Sequence, residues 1–249
     1  MPRTVLDREL QELHTHFLQL GSLVEKALAE ALTSLETSDF TTFQMVVEAD
    51  TSIDNLRTAI EEHVIRLLAM QQPLAGRDLR YLTASLSIAA SLERIGDGAA
   101  GIAEISLRMP QPPSESNNAE EHERKTSDRT PRQEEDAQGM EEATIMKHLL
   151  ELGTEAQRVL QETLRALAHD DTEAAKQLRE EDELVDRRYE TVQHELMHIL
   201  ATAPAIPALQ HDTSFLQRVA YLLWIAHKLE RIADHATKIC KKLIYIVEG

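Results

Sequence analysis

The chain has 249 residues, of which 43 are acidic and 26 basic, so its net charge is −17 with the histidines neutral. This acidic excess argues against a nucleic-acid-binding protein, because phosphate backbones are bound by basic surfaces. Glycine and proline number only eight each and aromatic residues make up 4% of the chain, so helix-breaking and strand-favouring residues are both scarce and an all-α protein is predicted.

The first predicted helix is marked by apolar residues that recur mainly in alternating steps of four and three. They are Leu6, Leu10, Leu13, Phe17, Leu20, Val24, Ala27, Ala31 and Leu35. Because an α-helix turns about every 3.6 residues, this spacing places their side chains on one face, along a seam roughly 45 Å long. The pattern is typical of a helix in a bundle.

Two further helices follow in the same half of the chain. Ser38-Asp39 interrupts the first pattern and can cap a second helix, which ends at Gln72-Pro73 because proline cannot continue the hydrogen-bond ladder. A third helix is predicted from about Arg77 to the end of the half. Short connections between such long helices indicate antiparallel neighbours.

The segment 110–139 differs in composition from both of its flanks. It holds four of the eight prolines, and its only apolar side chains are Ala119 and Ala137. Such a segment cannot bury enough apolar surface to offset the entropy that it would lose on ordering. We therefore predict a disordered linker at 110–139, between an N-terminal domain at 1–109 and a C-terminal domain at 140–249.

The C-terminal domain repeats the N-terminal one. At an offset of 132 residues the matching pairs include His16/His148, Gly21/Gly153, Leu28/Leu160, Leu32/Leu164, Asp39/Asp171, Asp50/Asp182 and Asp54/Asp186. After a longer loop in the second half the offset becomes 137, and the LERI sequence at 92–95 matches LERI at 229–232. A register held over so many positions indicates an internal duplication. The predicted fold is therefore two pseudo-symmetric antiparallel three-helix bundles, with six long helices.

Four pairs of carboxylates occupy matching positions in the two halves. Each pair has i, i+4 spacing, and the pairs are Asp50/Asp54, Glu93/Asp97, Asp182/Asp186 and Glu230/Asp234. This spacing stacks two like charges on one helix face, at a cost of about a few tenths of a kcal/mol per pair. Its repetition at four matching places indicates a positively charged partner.

Two of these acids, Asp50 and Asp182, fall within apolar seams. An unpaired carboxylate in a seam is costly and tends to protonate. The third-helix pairs have small neighbours, Gly96 and Ala233, which leave room for an ion. Several carboxylate oxygens on adjacent helices would suit a hard cation such as Fe³⁺, Mn²⁺, Mg²⁺ or Ca²⁺.

Ion pairs with arginine are the alternative explanation for the acidic pairs. The arginines near enough in sequence are Arg57, Arg94, Arg187, Arg188 and Arg231. For a single pair of acids this alternative would be preferred. Four pairs at equivalent repeat positions favour metal binding, and the alternative stays open.

Other candidate sites are weaker. Glu195 and His198 have the Glu-x-x-His spacing of di-iron bundles, but the first half has no matching ligand set. His227 lies one turn before Glu230 and is either an accessory ligand or, more simply, a surface histidine. Cys240, the only cysteine, excludes a disulfide framework and is expected to be buried. The sequence has no phosphate-binding glycine loop and no nucleophile spaced from a base, so no enzyme is predicted.

Neither a signal peptide nor a membrane span is expected. The opening sequence MPRTVLDREL has no apolar stretch, and the longest apolar run, Val219–Ala226, is too short to cross a bilayer. These features predict a cytosolic protein.

Four segments together resemble the PhoU family of phosphate-transport regulators. They are LERIGDGAAGIAE at 92–104, LERIADHATKICKKLIYIVEG at 229–249, EADTSIDNL at 48–56 and EEDELVDRR at 180–188. The resemblance covers nearly the whole chain apart from 110–139. It implies a six-helix protein of two pseudo-symmetric three-helix bundles that forms a homodimer.

The resemblance also implies a function. Family members are cytoplasmic, non-enzymatic regulators that dampen phosphate uptake and silence the phosphate-starvation regulon when phosphate is plentiful. The expected partners are the ATPase of a phosphate ABC transporter and a sensor histidine kinase, with the protein as their adaptor. The alternatives are a metal-storage or metal-buffering protein and a metal-free scaffold whose acids pair with arginines.

Some members bind metal clusters through E(D)xxxD motifs, and the implied cofactor is a divalent or trivalent ion of Fe, Mn, Mg, Ca or Zn. The motifs map onto Asp50, Asp54, Glu93, Asp97, Asp182, Asp186, Glu230 and Asp234. The family often has D-H-x-x-N at this motif, whereas the first copy here has Gly98 and Gly101, and the second has Lys238 followed by Lys241. Because an ammonium group competes with a cation, the N-terminal set is predicted to bind metal more tightly.

Overall fold

The computed structural model describes residues 3–70, 74, 76–110, 131–203 and 213–249. The helices in these ranges are α1 (Arg3–Thr37), α2 (Phe40–Met70), α3 (Gly76–Arg108), α4 (Pro131–His169), α5 (Thr172–Glu180), α6 (Asp182–Thr202) and α7 (Thr213–Glu248). No strand occurs within these ranges, so the all-α prediction is confirmed. None of the described helices has both the length and the apolar character that a membrane span requires.

The turns after the first helix of each half have the same geometry. Ser38 and Asp170, which are equivalent in the repeat, have positive φ angles of 56° and 53°. The following amides, of Asp39 and Asp171, donate to the carbonyl oxygens five residues earlier at 3.1 and 2.9 Å, as in a Schellman ending. The side chains of Asp39 and Asp171 each accept a hydrogen bond at 3.0 Å from an amide of the next helix. The predicted break at Ser38-Asp39 is thus confirmed, and its repeat equivalent has the same geometry.

The second helix of the C-terminal half differs from the prediction of one continuous helix. It consists of α5 and α6, which meet at Glu181, where ψ is −7°. The Glu181 carboxylate accepts a hydrogen bond at 2.7 Å from Arg158 of α4. The Leu184 amide donates to the Glu181 carbonyl oxygen at 2.9 Å, which tightens the backbone locally. Only Glu181 separates the two pieces, which together take the place of the one predicted helix.

The predicted linker at 110–139 falls largely outside the described residues, which omit 111–130. Helix α4 begins at Pro131, a residue that is tolerated in a first helical turn because its nitrogen has no hydrogen to donate. Helix α4 thus extends over 131–139, the last part of the predicted linker. The domain limits stay a prediction.

The helices pack as two bundles that share one interface. In the first half α1, α2 and α3 contact one another pairwise, and in the second half α7 contacts α4, α5 and α6. The halves meet along α3 with α7 and along α1 with α4. Aliphatic side chains from all seven described helices form one continuous hydrophobic core, in which Cys240 is fully buried, as expected.

Two glycines allow α1 and α4 to approach closely. A Cβ atom at Gly21 would lie less than 3.0 Å from the side chain of Leu164, and one at Gly153 would lie equally close to Leu32. Gly21 and Gly153 are equivalent in the repeat, and so are Leu32 and Leu164. The contact is therefore reciprocal, which confirms the predicted pseudo-symmetry of the halves.

Candidate metal centre

The N-terminal carboxylates lie at the interface of α2 and α3. Asp50 and Asp54 belong to α2, and Glu93 and Asp97 belong to α3. One carboxylate oxygen from each of Asp54, Glu93 and Asp97 lies within 4.8 Å of the other two. The structure thus brings three of the four predicted N-terminal ligands into one group.

Asp50 lies on the same interface but is more buried. Its Oδ1 atom is buried and has no hydrogen-bond partner in the described part of the chain. Burial is the main cause that raises the pKa of Asp50, followed by the charges of Asp97, Asp54 and Glu104. A buried oxygen among like charges is costly alone and is stabilised by a nearby cation.

Arginines affect this group only from a distance. Burial and the charge of Asp97 raise the pKa of Glu93, whereas Arg57 and Arg94 lower it. Arg57 pairs with Glu61 at 3.2 Å along α2. Among the described residues, no lysine or arginine nitrogen lies within 4.0 Å of a carboxylate oxygen of the four N-terminal acids. Direct ion pairs with arginine therefore do not account for the N-terminal group.

Gly96 has a different role from the one expected. A Cβ atom at this position would lie 3.0 Å from the Ile53 side chain and 3.7 Å from Asp50 Oδ1. The space beside Glu93 is therefore partly taken by Ile53. Gly96 allows α2 and α3 to pack closely next to the carboxylates. The side chains of Asp54 and Asp97 lie on the solvent side of that contact and are exposed.

The C-terminal carboxylates are placed on α6 and α7. The side chain of Asp182 lies outside the described part, whereas those of Asp186, Glu230 and Asp234 are described. Burial and then the charge of Asp234 raise the pKa of both Glu230 and Asp186. Glu230 Oε2 is buried and, within the described ranges, accepts no hydrogen bond. This half thus repeats the electrostatic strain of the first.

Basic side chains contact the C-terminal set directly. Arg231 Nη1 and Lys238 Nζ lie 3.2 and 3.5 Å from Asp234 Oδ2. Lys238 is one of the two lysines expected to reach back toward these acids. The other, Lys241, forms no ion pair with any carboxylate whose side chain is described. These contacts neutralise part of the negative charge that would attract a metal ion.

The weaker candidates have other contacts. Glu195 Oε2 lies 2.9 Å from Nδ1 of His148 on α4, which is a cross-helix pair that the Glu195/His198 spacing does not predict. His227 Nδ1 lies 3.6 Å from Glu230 Oε2, which is compatible with the accessory position expected for it. Neither arrangement resembles a di-iron ligand set.

One single residue and one group of three on these helices have contacts that sequence spacing does not predict. Tyr189 of α6 has a pKa raised by burial and by the charge of Glu230. In the first bundle, Glu9 and Glu12 of α1 lie beside His63 of α2. The i, i+3 spacing of the two glutamates is visible in the sequence, but their contact with another helix is not.

The PhoU domain model matches the chain twice, over residues 17–106 and 149–243. Each match lies in one half of the repeat, and each contains two of the four carboxylate pairs. The two matches together leave out mainly the chain ends and the segment between the halves.

Proteins with this domain align along almost the entire chain. The phosphate-specific transport system accessory protein PhoU homologue of Clostridium acetobutylicum is 28% identical over 249 residues, which is 100% of this chain and 97% of that protein. The corresponding homologue of Pseudomonas aeruginosa is 32% identical over 241 residues, which is 97% of this chain and 84% of that protein.

Solved structures show the same fold. The crystal structure of PhoU from Pseudomonas aeruginosa has a TM-score of 0.74 at 30% identity, covering 98% of this chain and 99% of that one. The phosphate transport system regulatory protein PhoU from Streptococcus pneumoniae has a TM-score of 0.73 at 26% identity, with 97% and 96% covered. The two domain matches and the agreement in fold show that this chain belongs to the PhoU family.

Proposed function

We propose that this chain is a non-enzymatic regulator of phosphate transport and of phosphate-starvation signalling. The observation that carries the proposal is its similarity, over both halves, to proteins named as accessory proteins of a phosphate-specific transport system. One relative of the same fold is named as a regulatory protein of phosphate transport. Because the similarity extends over the whole chain, we assign the role to the two-bundle molecule and not to either half.

The proposed partners are the ATPase of a phosphate ABC transporter and a sensor histidine kinase, both at the cytoplasmic face of the membrane. The chain acts as an adaptor between them, in the form of a homodimer. Its net charge of −17 favours fast association with basic surfaces, since complementary charge steers encounter. Binding should therefore weaken as ionic strength rises.

The N-terminal acids are proposed to hold a divalent or trivalent metal ion. The support is the convergence of Asp54, Glu93 and Asp97 within 4.8 Å and the buried Oδ1 atom of Asp50 beside them. All of these donors are hard oxygens, which suit Fe, Mn, Mg or Ca, and Zn also accepts carboxylate ligands. When bound, the ion supplies the positive charge that these acids lack. The carboxylates on α2 and α3 would then attach the two helices to each other.

The C-terminal acids Asp182, Asp186, Glu230 and Asp234 are proposed as a second and weaker site. The reason is the contact of Lys238 with Asp234, because the ammonium group must be displaced before a cation gains that oxygen. The two halves would thus differ in metal affinity although their folds are equivalent.

A pulldown and a gene deletion test the regulatory role. We expect the tagged full-length chain to retain both the transporter ATPase and the sensor kinase. A deletion strain should express its phosphate-starvation genes in high phosphate, and the full-length gene should restore their repression. Loss of both interactions together with an unchanged phosphate response in the deletion strain would contradict the proposal.

Metal analysis of the native protein separates this role from metal storage. A regulatory site predicts a few tightly held ions per chain, and the D54N/E93Q variant should lose the N-terminal one. E36Q, which changes an exposed residue at the end of α1, is the matched control. Tens of ions per chain would favour storage, and none in any preparation would favour a scaffold without metal.

A further inference from the structure

A second group of ligand-type side chains joins α1 to α2. Glu9 and Glu12 on α1 and His63 on α2 each offer one ligand atom, and these three atoms lie within 4.8 Å of one another. His63 Nε2 lies 3.0 Å from Glu9 Oε2. The group uses none of the carboxylates of the centre between α2 and α3.

His16 extends this group along the same face of α1. Glu9, Glu12 and His16 have i, i+3, i+7 spacing, which places them on one side of a helix. The ring of His16 packs edge-on to that of His63, with 6.1 Å between centroids. Its Nδ1 atom is buried and finds no hydrogen-bond partner in the described residues.

The burial of His63 makes this arrangement more than a surface cluster. Its exposed fraction is 4%, and the Glu9 side chain is 18% exposed. A histidine so deeply placed is oriented by its surroundings, with one ring nitrogen directed at the two glutamates. Ligand groups fixed in this way lose little conformational freedom when a metal binds.

We propose that Glu9, Glu12 and His63 bind Zn²⁺, with the His16 ring packed against His63. Imidazole nitrogen together with carboxylate oxygen is the donor set of His/Glu zinc sites, whereas a purely carboxylate set suits harder ions. The ion would attach the N-terminal part of α1 to the C-terminal part of α2. This site is independent of the proposed carboxylate centre and of the regulatory role.

A simple ion pair explains only part of the geometry. The hydrogen bond with His63 is the main cause that lowers the pKa of Glu9, so its carboxylate is readily ionised. The pair of His63 and Glu9 does not explain why Glu12 lies close to both of them. It also leaves the buried Nδ1 atom of His16 without a hydrogen-bond partner among the described residues. Arg8 lies 3.5 Å from Glu9 and 3.8 Å from Glu12, so a bound ion must displace it, as it must displace Lys238 in the C-terminal set. The Arg8 side chain is 68% exposed, so the loss of these two contacts costs little.

The second half of the chain provides an internal comparison. The repeat places His148 at the position of His16 and Glu195 at that of His63, and these two side chains form a pair at 2.9 Å. At the position of Glu12 it places Thr144, which has no carboxylate. The proposed zinc site is therefore a property of the first half alone.

Zinc titration of the full-length protein by calorimetry tests the site. Loss of even an outer-shell partner typically weakens a metal site by roughly 10–100-fold, so E12Q should weaken one Zn²⁺-binding event by at least about tenfold. The Glu12 side chain is 54% exposed, so this variant should fold as the wild type does. H148Q, which changes the repeat equivalent of His16, should leave the event unchanged, and so should E36Q, which changes an exposed residue at the far end of α1.

Anomalous scattering from crystals soaked in Zn²⁺ locates the ion. A peak between Glu9, Glu12 and His63 is expected, and it should be absent from E12Q crystals. A peak confined to the group of Asp54 and Asp97, or an E12Q isotherm identical to that of the wild type, would overturn the proposal. Neither result would decide whether the carboxylate centre binds metal, because Glu12 is not part of that centre. The D54N/E93Q variant tests that centre separately.

Discussion

Asp50 and Glu93 combine burial with like-charge repulsion at the interface of α2 and α3. Burial is the largest cause that raises the pKa of each, and the charge of Asp97 is the next largest in both cases. A raised pKa means that the folded protein binds a proton there more tightly than the unfolded chain does. In the metal-free protein, both acids therefore destabilise the folded state once they ionise.

Replacing both acids by amides should stabilise the metal-free protein at neutral pH. D50N/E93Q should raise the free energy of unfolding at pH 7 by about 1 kcal/mol, because it removes two partly buried negative charges that repel Asp97. In the wild type, the two protonated acids favour the folded state at low pH. That contribution to the free energy of unfolding is lost as the pH rises from the ordinary pKa values of 3.8 and 4.5 through the raised pKa values of the folded protein. The difference between variant and wild type should thus be small at low pH and grow as pH rises.

Urea unfolding in EDTA at a series of pH values measures this difference. E36Q should follow the wild type at every pH, because Glu36 is exposed at the end of α1. A difference that stays flat or shrinks with rising pH would show that the carboxylates are not strained. With metal present the sign should reverse, since the variant also removes ligands.

Lys238 is the residue that most distinguishes the two carboxylate sets. It lies 3.5 Å from Asp234, whereas the equivalent position beyond Asp97 is Gly101. K238A should raise the Mn²⁺ affinity of the C-terminal set by up to about fivefold, since exposed ion pairs are worth roughly 0.2–1 kcal/mol. Anomalous scattering at low Mn²⁺ concentration measures the occupancy of each set separately.

The control for this prediction is K241A, because Lys241 makes no ion pair with the described carboxylates. Its occupancies should equal those of the wild type. Occupancy of the C-terminal set alone in the wild type, or equal effects of the two lysine variants, would contradict the predicted asymmetry.

At the scale of elements, each half begins its second helix with the same capped turn. Ser38 and Asp170 adopt left-handed backbone conformations, and the next residue, Asp39 or Asp171, accepts an amide hydrogen bond from the new helix. Such a cap satisfies a donor that the helix itself leaves unpaired. The turn therefore fixes both where the second helix begins and the direction in which it leaves.

Removing the cap should destabilise the protein through lost hydrogen bonding and not through lost charge. D171A should lower the free energy of unfolding by about 1 kcal/mol, whereas D171N should keep most of the stability because asparagine caps equally well. Urea unfolding midpoints compare the two variants, and D39A should shift in the same direction as D171A. Equal losses in D171A and D171N would show that the charge matters and the cap does not.

At the scale of the whole molecule, the halves are connected by helix packing and not only by the chain. The α1–α4 contact depends on glycines that admit leucines from the opposite half, Gly21 with Leu164 and Gly153 with Leu32. The α3–α7 contact has a similar feature, since a Cβ at Gly98 would lie 2.8 Å from Ile232. Close backbone approach at these points makes the two bundles one cooperative core.

A double-mutant cycle between Gly21 and Leu164 tests this interface. Alanine favours a helix over glycine by about 1 kcal/mol, so G21A should stabilise the protein in an L164A background. In the wild type it should be neutral or destabilising, because overpacking costs roughly 1–3 kcal/mol. The coupling free energy from urea unfolding should be at least about 0.5 kcal/mol. Additive effects would mean that the halves do not pack as described.

The sequence by itself determined the all-helical fold, the break after the first helix of the N-terminal half and the duplication. The predicted break at Ser38-Asp39 lies between the end of α1 at Thr37 and the start of α2 at Phe40. The i, i+4 spacing of Asp50 and Asp54 also predicted that their side chains share one face of a helix. These features depend on spacing within one helix, and that spacing is set by residues a few positions apart.

Only the tertiary structure decided which side chains meet from different helices. It brought Asp54 to Glu93 and His63 to Glu9, and it brought Arg158 of α4 to Glu181, where the second helix of the C-terminal half is divided. Such contacts depend on the rotation and axial offset of each helix against its neighbours. Those quantities follow from the packing of the whole core, in which many apolar side chains fit together at once, and no local spacing in the chain determines them.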